Sequence, residues 1–139
     1  MAVEPYLNFN GHSEEAIEFY KSAVGATVVM LMRFSDGPED MCPTPENKDK
    51  IMHATLDVAG TNVMLSDAQC TGELSFSGVS LSLQVPDVAT GQQRFDALGE
   101  GGTVEMPFGK TFWTEGFSML RDRFGVSWMV NVEGEAPAS

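Results

Sequence analysis

Shifting the chain by 76 positions against itself aligns Leu7 with Leu83, Phe9 with Val85, Phe19 with Phe95, Gly25 with Gly101, Thr27 with Thr103, Val28 with Val104 and Met30 with Met106, without a gap. Beyond residue 50 the offset falls to 65, pairing Asp57 with Asp122, Gly60 with Gly125 and Met64 with Met129. The first copy therefore holds 11 more residues than the second, and the excess falls in Ser35–Lys50. One offset that spans three consecutive segments marks a duplication. A unit of roughly 60 residues buries too little surface to be secure alone, so the two copies are expected to build one domain together. The 139 residues accommodate that pair and leave no room for a second large domain.

Each copy reads as strand, helix, strand and hairpin. Val3–Phe9 has aromatic and apolar residues and stops at the turn pair Asn10-Gly11. The helix that follows has Ser13 as its expected cap, Glu14 and Glu15 in its first turn, Ile17, Tyr20 and Val24 on one face, and Gly25 as its stop. Thr27–Phe34 is a β-branched and apolar run, the pattern of a strand buried on both faces. The polar stretch Ser35–Lys50, with Pro38, Pro43 and Pro45, is longer than most connections in a compact domain. Ile51–Val58 alternates, with Met52, Ala54, Leu56 and Val58 opposite Ile51, His53, Thr55 and Asp57, and it turns at Ala59-Gly60 into Thr61–Ser66.

In the second copy Val79–Val85 is a strand and Asp87 caps a helix whose expected buried side is Val88, Gln92, Phe95 and Leu98. Gly91 weakens that helix by about 1 kcal/mol relative to Ala, and Gly99, Gly101 and Gly102 end it. Thr103–Met106, Phe117–Arg121 and Ser127–Val132 are three further strands. The expected architecture is α+β: two βαβββ modules, residues 3–67 and 79–132, joined by a linker at 68–78, followed by a tail at 133–139, around a cupped mixed sheet.

Charge and composition exclude several classes. A net charge of −12 and the absence of a basic stripe argue against nucleic acid, whose phosphates would be repelled. No run approaches the roughly 20 apolar residues of a membrane span, and MAVEPYLNF has neither the basic region nor the apolar run of a signal peptide, so a cytoplasmic protein is expected. Cys42 and Cys70 have no second metal-type residue at zinc-site spacing and read as an incidental reduced pair.

Several strings, Tyr6-Leu7-Asn8-Phe9-Asn10-Gly11, Lys50-Ile51-Met52-His53-Ala54, Met64-Leu65-Ser66-Asp67-Ala68, Thr111-Phe112-Trp113 and Asp122-Arg123-Phe124-Gly125-Val126-Ser127-Trp128, resemble the recurring motifs of PhnB-like proteins. These form a branch of the vicinal-oxygen-chelate (glyoxalase/bleomycin resistance/dioxygenase) superfamily, often labelled by similarity to 3-demethylubiquinone-9 3-methyltransferase. The likeness runs from Pro5 to Val132 and implies a glyoxalase-like domain, a small-molecule ligand and a homodimer. The chain has no glycine-rich strand-to-helix turn with a following acidic residue, so the label brings no expectation of a nucleotide-like cofactor.

Metal-dependent members of that superfamily take ligands, usually His and Glu, from the first and last strands of each half. The matching strands here offer Pro5, Tyr6 and Asn8, then Met64 and Ser66, then Ser80 and Ser82, then Met129 and Asn131. Neutral hydroxyls, amides and thioethers hold a divalent ion weakly, so no tightly bound metal is expected.

Candidate site residues follow from position and chemistry. His53 is the histidine set in a strand, opposite the face that packs under the helix, and imidazole is the side chain suited to proton transfer near neutrality. Asp67 at the end of its strand and Glu115 beside the aromatic pair Phe112-Trp113 are its carboxylate partners in an enzymatic reading. Tyr6, Asn8, Met64, Phe112, Trp113 and Arg121 are the expected ligand contacts, aromatic rings and methionines suiting an apolar body and Arg121 an anionic end. The leading expectation is a metal-free binding protein that holds a small molecule in the cup between modules. Its rivals are an enzyme using His53 with Asp67 or Glu115, or a weakly held divalent metal, and a purely structural protein.

Overall fold

The sheet register restates the duplication as geometry. In a computed structural model, which describes residues 1–38 and 44–134, strand β1 (Tyr6–Asn8) runs parallel to β4 (Thr61–Ser66), with Tyr6 opposite Met64, Leu7 opposite Leu65 and Asn8 opposite Ser66. Strand β5 (Ser80–Val85) runs parallel to β8 (Ser127–Val132), with Ser82 opposite Met129, Leu83 opposite Val130 and Gln84 opposite Asn131. Adding 76 on one strand and 65 on the other converts the first set of pairs into the second. Cys42, Pro43 and the tail beyond 134 lie outside the described residues.

The chain divides at Leu74/Ser75 into two compact units. The first holds α1 (Ser13–Val24) and a sheet of order β1-β4-β3-β2, with β2 at Thr27–Arg33 and β3 at Ile51–Val58. The second holds α2 (Val88–Gly99) and a sheet of order β5-β8-β7-β6, with β6 at Thr103–Gly109 and β7 at Phe117–Arg121. Both are mixed sheets with one parallel pair, so the architecture is the expected α+β arrangement of two βαβββ modules.

Both units also share an irregularity. The pairing of β2 with β3 slips between Val28 and Met30, and that of β6 with β7 slips between Val104 and Met106, which are equivalent positions. Strand β7 departs from the simple repeat, because Thr103 faces Arg121 where Thr27 faces Asp57. Arg121, not Asp122, is therefore the structural counterpart of Asp57, and the second hairpin takes up the extra residue in its longer turn.

Each sheet has one buried face. Leu7, Ala54, Leu56, Val63 and Leu65 in the first unit are at most 8% exposed, as are Leu83, Leu120, Trp128, Val130 and Val132 in the second. Three expectations need correction. Strand β2 is not buried on both faces: Val28, Val29 and Met30 are exposed because β2 is an edge strand. Ser13 does not cap α1; His12 holds the cap position without a side-chain bond to the helix amides, and the Ser13 hydroxyl is buried without a partner. In α2 the buried residues are Gly91 and Leu98, while Val88 is exposed and Phe95 half-buried.

Other local readings hold. Gly25 ends α1 in the left-handed conformation with φ 66°. Asp87 caps α2 by accepting the Thr90 amide at 2.7 Å, and that bond lowers its pKa. Arg33, at the end of β2, pairs with Glu14 of α1 at 2.8 Å, and this hydrogen bond lowers the Glu14 pKa.

Candidate functional site

Residues paired across a sheet point to the same side, so the register lists what each uncovered face presents. In the first unit a row crosses all four strands: Tyr6, Met64, Thr55 and Met30. Beside it lie Asn8, paired with Ser66, and His53, paired with Met32. The His53 side chain is fixed at both nitrogens, Nδ1 lying 2.9 Å from Tyr6 Oη and Nε2 lying 3.1 Å from Thr55 Oγ1. In one neutral tautomer Tyr6 O–H donates to Nδ1 and Nε2–H donates to Thr55; in the other Nδ1–H donates to Tyr6 and Thr55 O–H donates to Nε2. On protonation both nitrogens donate, and the Tyr6 hydroxyl need only rotate to accept. Either tautomer keeps both contacts.

Asp67 serves a different purpose. It is fully buried, with Oδ1 accepting the amides of Gly11 at 3.0 Å and Ser13 at 2.8 Å, and Oδ2 accepting the amide of Ile51 at 2.8 Å. Its carboxylate caps α1 from a distant part of the chain and ties that helix to the start of β3. The amides of the β1–α1 turn are thereby filled from within the protein.

The second unit's uncovered face carries the row Ser82, Met129, Met119 and Met106, one residue from each strand. A ladder of side-chain hydrogen bonds runs alongside it. Trp113 Nε1–H donates to Asn131 Oδ1 at 3.2 Å, Asn131 Nδ2 to Gln84 Oε1 at 2.8 Å, and Gln84 Nε2 to Ser82 Oγ at 3.0 Å. Trp113 is also packed edge-on against Phe112 and Phe117, with ring centroids 4.9 and 5.1 Å apart.

The loop bearing these rings is anchored by Thr114, a buried residue whose hydroxyl donates to the Val132 carbonyl at 2.6 Å. Phe112 is 86% exposed. Glu115 is exposed and takes no part in the ladder. Arg121 is held by Glu105 at 2.9 Å, leaving that pair locally neutral.

The structure thus brings Tyr6 and His53 into contact and sets Met64 in the row of Tyr6. It joins Trp113 to Asn131 and Gln84, ties Asp67 into the backbone, and leaves Glu115 and Arg121 apart from either network. Gln84 and Thr114 were not singled out by sequence; the signal for Gln84 was its equivalence to Asn8 at an offset of 76.

Among the described residues no three His, Cys, Asp or Glu side chains gather as a metal would require. At the strand positions where the resemblance would place metal ligands, the pairs are Tyr6 with Met64 and Ser82 with Met129. These four side chains do not fit a divalent ion, having no anionic oxygen and no imidazole among them, and His53 beside Tyr6 adds one neutral donor without a carboxylate.

Comparison with known proteins agrees with the fold. The family model described as 3-demethylubiquinone-9 3-methyltransferase matches residues 1–131. Protein PA1353 from Pseudomonas aeruginosa, a crystal structure, is 43% identical and superposes with a TM-score of 0.84, over 96% of this chain and 98% of that one. The PhnB protein from Bacillus cereus is 25% identical with a TM-score of 0.80, over 96% of this chain and 100% of that one. A glyoxylase/bleomycin resistance protein/dioxygenase domain from Frankia sp. is 14% identical with a TM-score of 0.67, over 95% of this chain and 94% of that one, a likeness of fold alone.

Proposed function

The chain belongs to the family described as 3-demethylubiquinone-9 3-methyltransferase, PhnB-like proteins with the glyoxalase/bleomycin-resistance fold, and from that premise we propose that it binds a small molecule on its uncovered sheet faces without a tightly held metal. The observation that carries this reading is that each unit leaves one sheet face open, with a row of thioethers beside aromatic rings and neutral hydrogen-bonding groups, and with Arg121 on the second face paired to Glu105. Faces of this composition suit ligands with an apolar body and a few polar contacts. Methyl transfer, the chemistry in the family's description, is not part of the proposal. The turn amides that could meet a cofactor are taken by Asp67.

We further propose that the two units act as one domain, in the cytosol, and as a homodimer. The exposed apolar edges of β2 and β6, at Val28, Val29 and Val104, support self-association. No helix among the described residues is long and apolar enough to cross a membrane.

A second reading, an enzyme, is favoured by one observation, the Tyr6–His53–Thr55 chain, in which the imidazole keeps both contacts in either tautomer. The experiment is native mass spectrometry of the purified protein after exposure to a cellular small-molecule extract, repeated with His53→Ala, with metal analysis of the same sample. A discrete retained mass supports binding, and its loss in the variant places His53 at the contact. Conversion of the retained compound by the wild type, abolished in the variant with retention unchanged, replaces binding with catalysis. No retained mass, or stoichiometric zinc, iron, nickel or manganese, overturns the proposal.

A further inference from the structure

The ladder on the second unit has a direction. Trp113 donates a hydrogen bond to Asn131, Asn131 to Gln84 and Gln84 to Ser82, so every acceptor along it is engaged by the previous donor. Ser82 receives on its oxygen and keeps its own O–H proton for something beyond the ladder. Aligned hydrogen bonds polarise one another, which makes that terminal hydroxyl a better donor.

Ser82 also begins the row that continues through Met129, Met119 and Met106. Neighbouring strands lie about 4.8 Å apart, so the three thioethers span roughly 10 Å, the length of a two-ring system. Thioethers are flexible and polarizable, and they make favourable contacts with aromatic rings.

Charge narrows the occupant further. The face's cation, Arg121, is engaged by Glu105, and the chain as a whole carries −12. An anion on this face would meet a repelling field and an Arg121 already held by Glu105, and a cation would meet a Glu105 already held by Arg121.

We propose that the uncovered face of the second sheet takes an uncharged, planar aromatic molecule bearing a carbonyl, its rings along Met129, Met119 and Met106 and its carbonyl oxygen on the Ser82 hydroxyl. This rests on the reading that the uncovered faces bind small molecules and specifies the chemical class for one of them.

The test uses protein labelled with carbon-13 at the methionine methyls and titrated with naphthalene-2-carboxamide, with naphthalene-2-carboxylate and with 2-naphthylmethylammonium. The expected result is saturable movement of the Met106, Met119 and Met129 methyl signals by the amide, with both charged analogues at least about tenfold weaker. Ser82→Ala weakens the amide by about tenfold, and Asn131→Leu, which cuts the ladder without touching Ser82, weakens it less.

Equal or tighter binding of either charged analogue overturns the class while leaving small-molecule binding intact. Movement confined to Met30 and Met64 overturns the location. No saturable movement up to about 1 mM overturns the proposal, and if the Met119 and Met129 signals then shift on dilution of the protein, the face belongs to a second copy of the chain. A failure of the broader function would show separately, as an absence of any retained compound from cell extract.

Discussion

A carboxylate that accepts three backbone amides in a buried site replaces three hydrogen bonds that water would otherwise supply. At Asp67 those amides belong to Gly11, Ser13 and Ile51, so one side chain secures the start of α1 and the start of β3 together. Removing it strands buried donors, each costly to leave unpaired. Asp67→Ala is therefore expected to lower unfolding free energy by about 3–5 kcal/mol in urea titration, and Asp67→Asn by roughly half as much because its amide retains one acceptor oxygen. A loss under about 1 kcal/mol for the alanine variant would show that water replaces the carboxylate without penalty. Sequence could not reveal this role. Ser-Asp before a loop is a common strand ending, Ser13 was the nearer and more ordinary cap, and the true capping group lies more than 50 positions away. His53 was different, since alternation along β3 already placed it on the open face beside Thr55, and only its partner Tyr6 awaited the strand order.

At the level of elements, what was legible depended on whether the determining contact was local. Strand β3, the Ala59-Gly60 hairpin and β4 could be bounded from alternation and turn chemistry, because each signal sits inside the segment it defines. The exposure of β2 could not, because a run of Val, Met and Leu reads the same in a central strand and at an edge; strand order decides, and that is a long-range fact. Helix α2 shows a similar conflict. Its interior Gly91 is unfavourable by propensity, yet a Cβ there would lie 2.7 Å from Phe108 Cζ and 3.3 Å from Val132 Cγ2. The glycine makes room for a ring that packs over the helix. Gly91→Ala should thus destabilise the protein by about 1–2 kcal/mol, overpacking outweighing the gain of about 1 kcal/mol in helix propensity. In a Phe108→Leu background the same change should become neutral or stabilising by up to about 1 kcal/mol, as read from thermal unfolding of the four proteins in the cycle. Identical effects in both backgrounds would mean that Phe108 is not what keeps alanine out.

For the whole molecule, duplication and charge act on different scales. Duplication sets which residues share a row, so that Met30 with Met64 and Met106 with Met129 recur at equivalent places, while substitution within the rows has made one face carry His53 and the other the amide ladder. That divergence explains why the fold was legible from the repeat and the chemistry was not: the repeat reports what the two halves kept, and the site lies in what they changed. Charge, by contrast, is a property of the sum. Twenty carboxylates against eight cations give −12, and the ion pairs seen among the described residues are surface contacts with partners 33–71% exposed. Exposed pairs are worth little, and salt weakens them, but salt also screens the mutual repulsion of the unpaired carboxylates. Repulsion involves many more charges, so its relief should dominate. Raising sodium chloride from about 0.02 to about 0.3 M shortens the screening length from roughly 20 to roughly 6 Å and should raise Tm by a few degrees. Choline chloride at equal ionic strength should give the same increment, because the effect is screening and not a bound sodium ion. A fall in Tm with either salt would mean that the few surface pairs, the Glu14–Arg33 link between α1 and β2 foremost, outweigh the excess of negative charge.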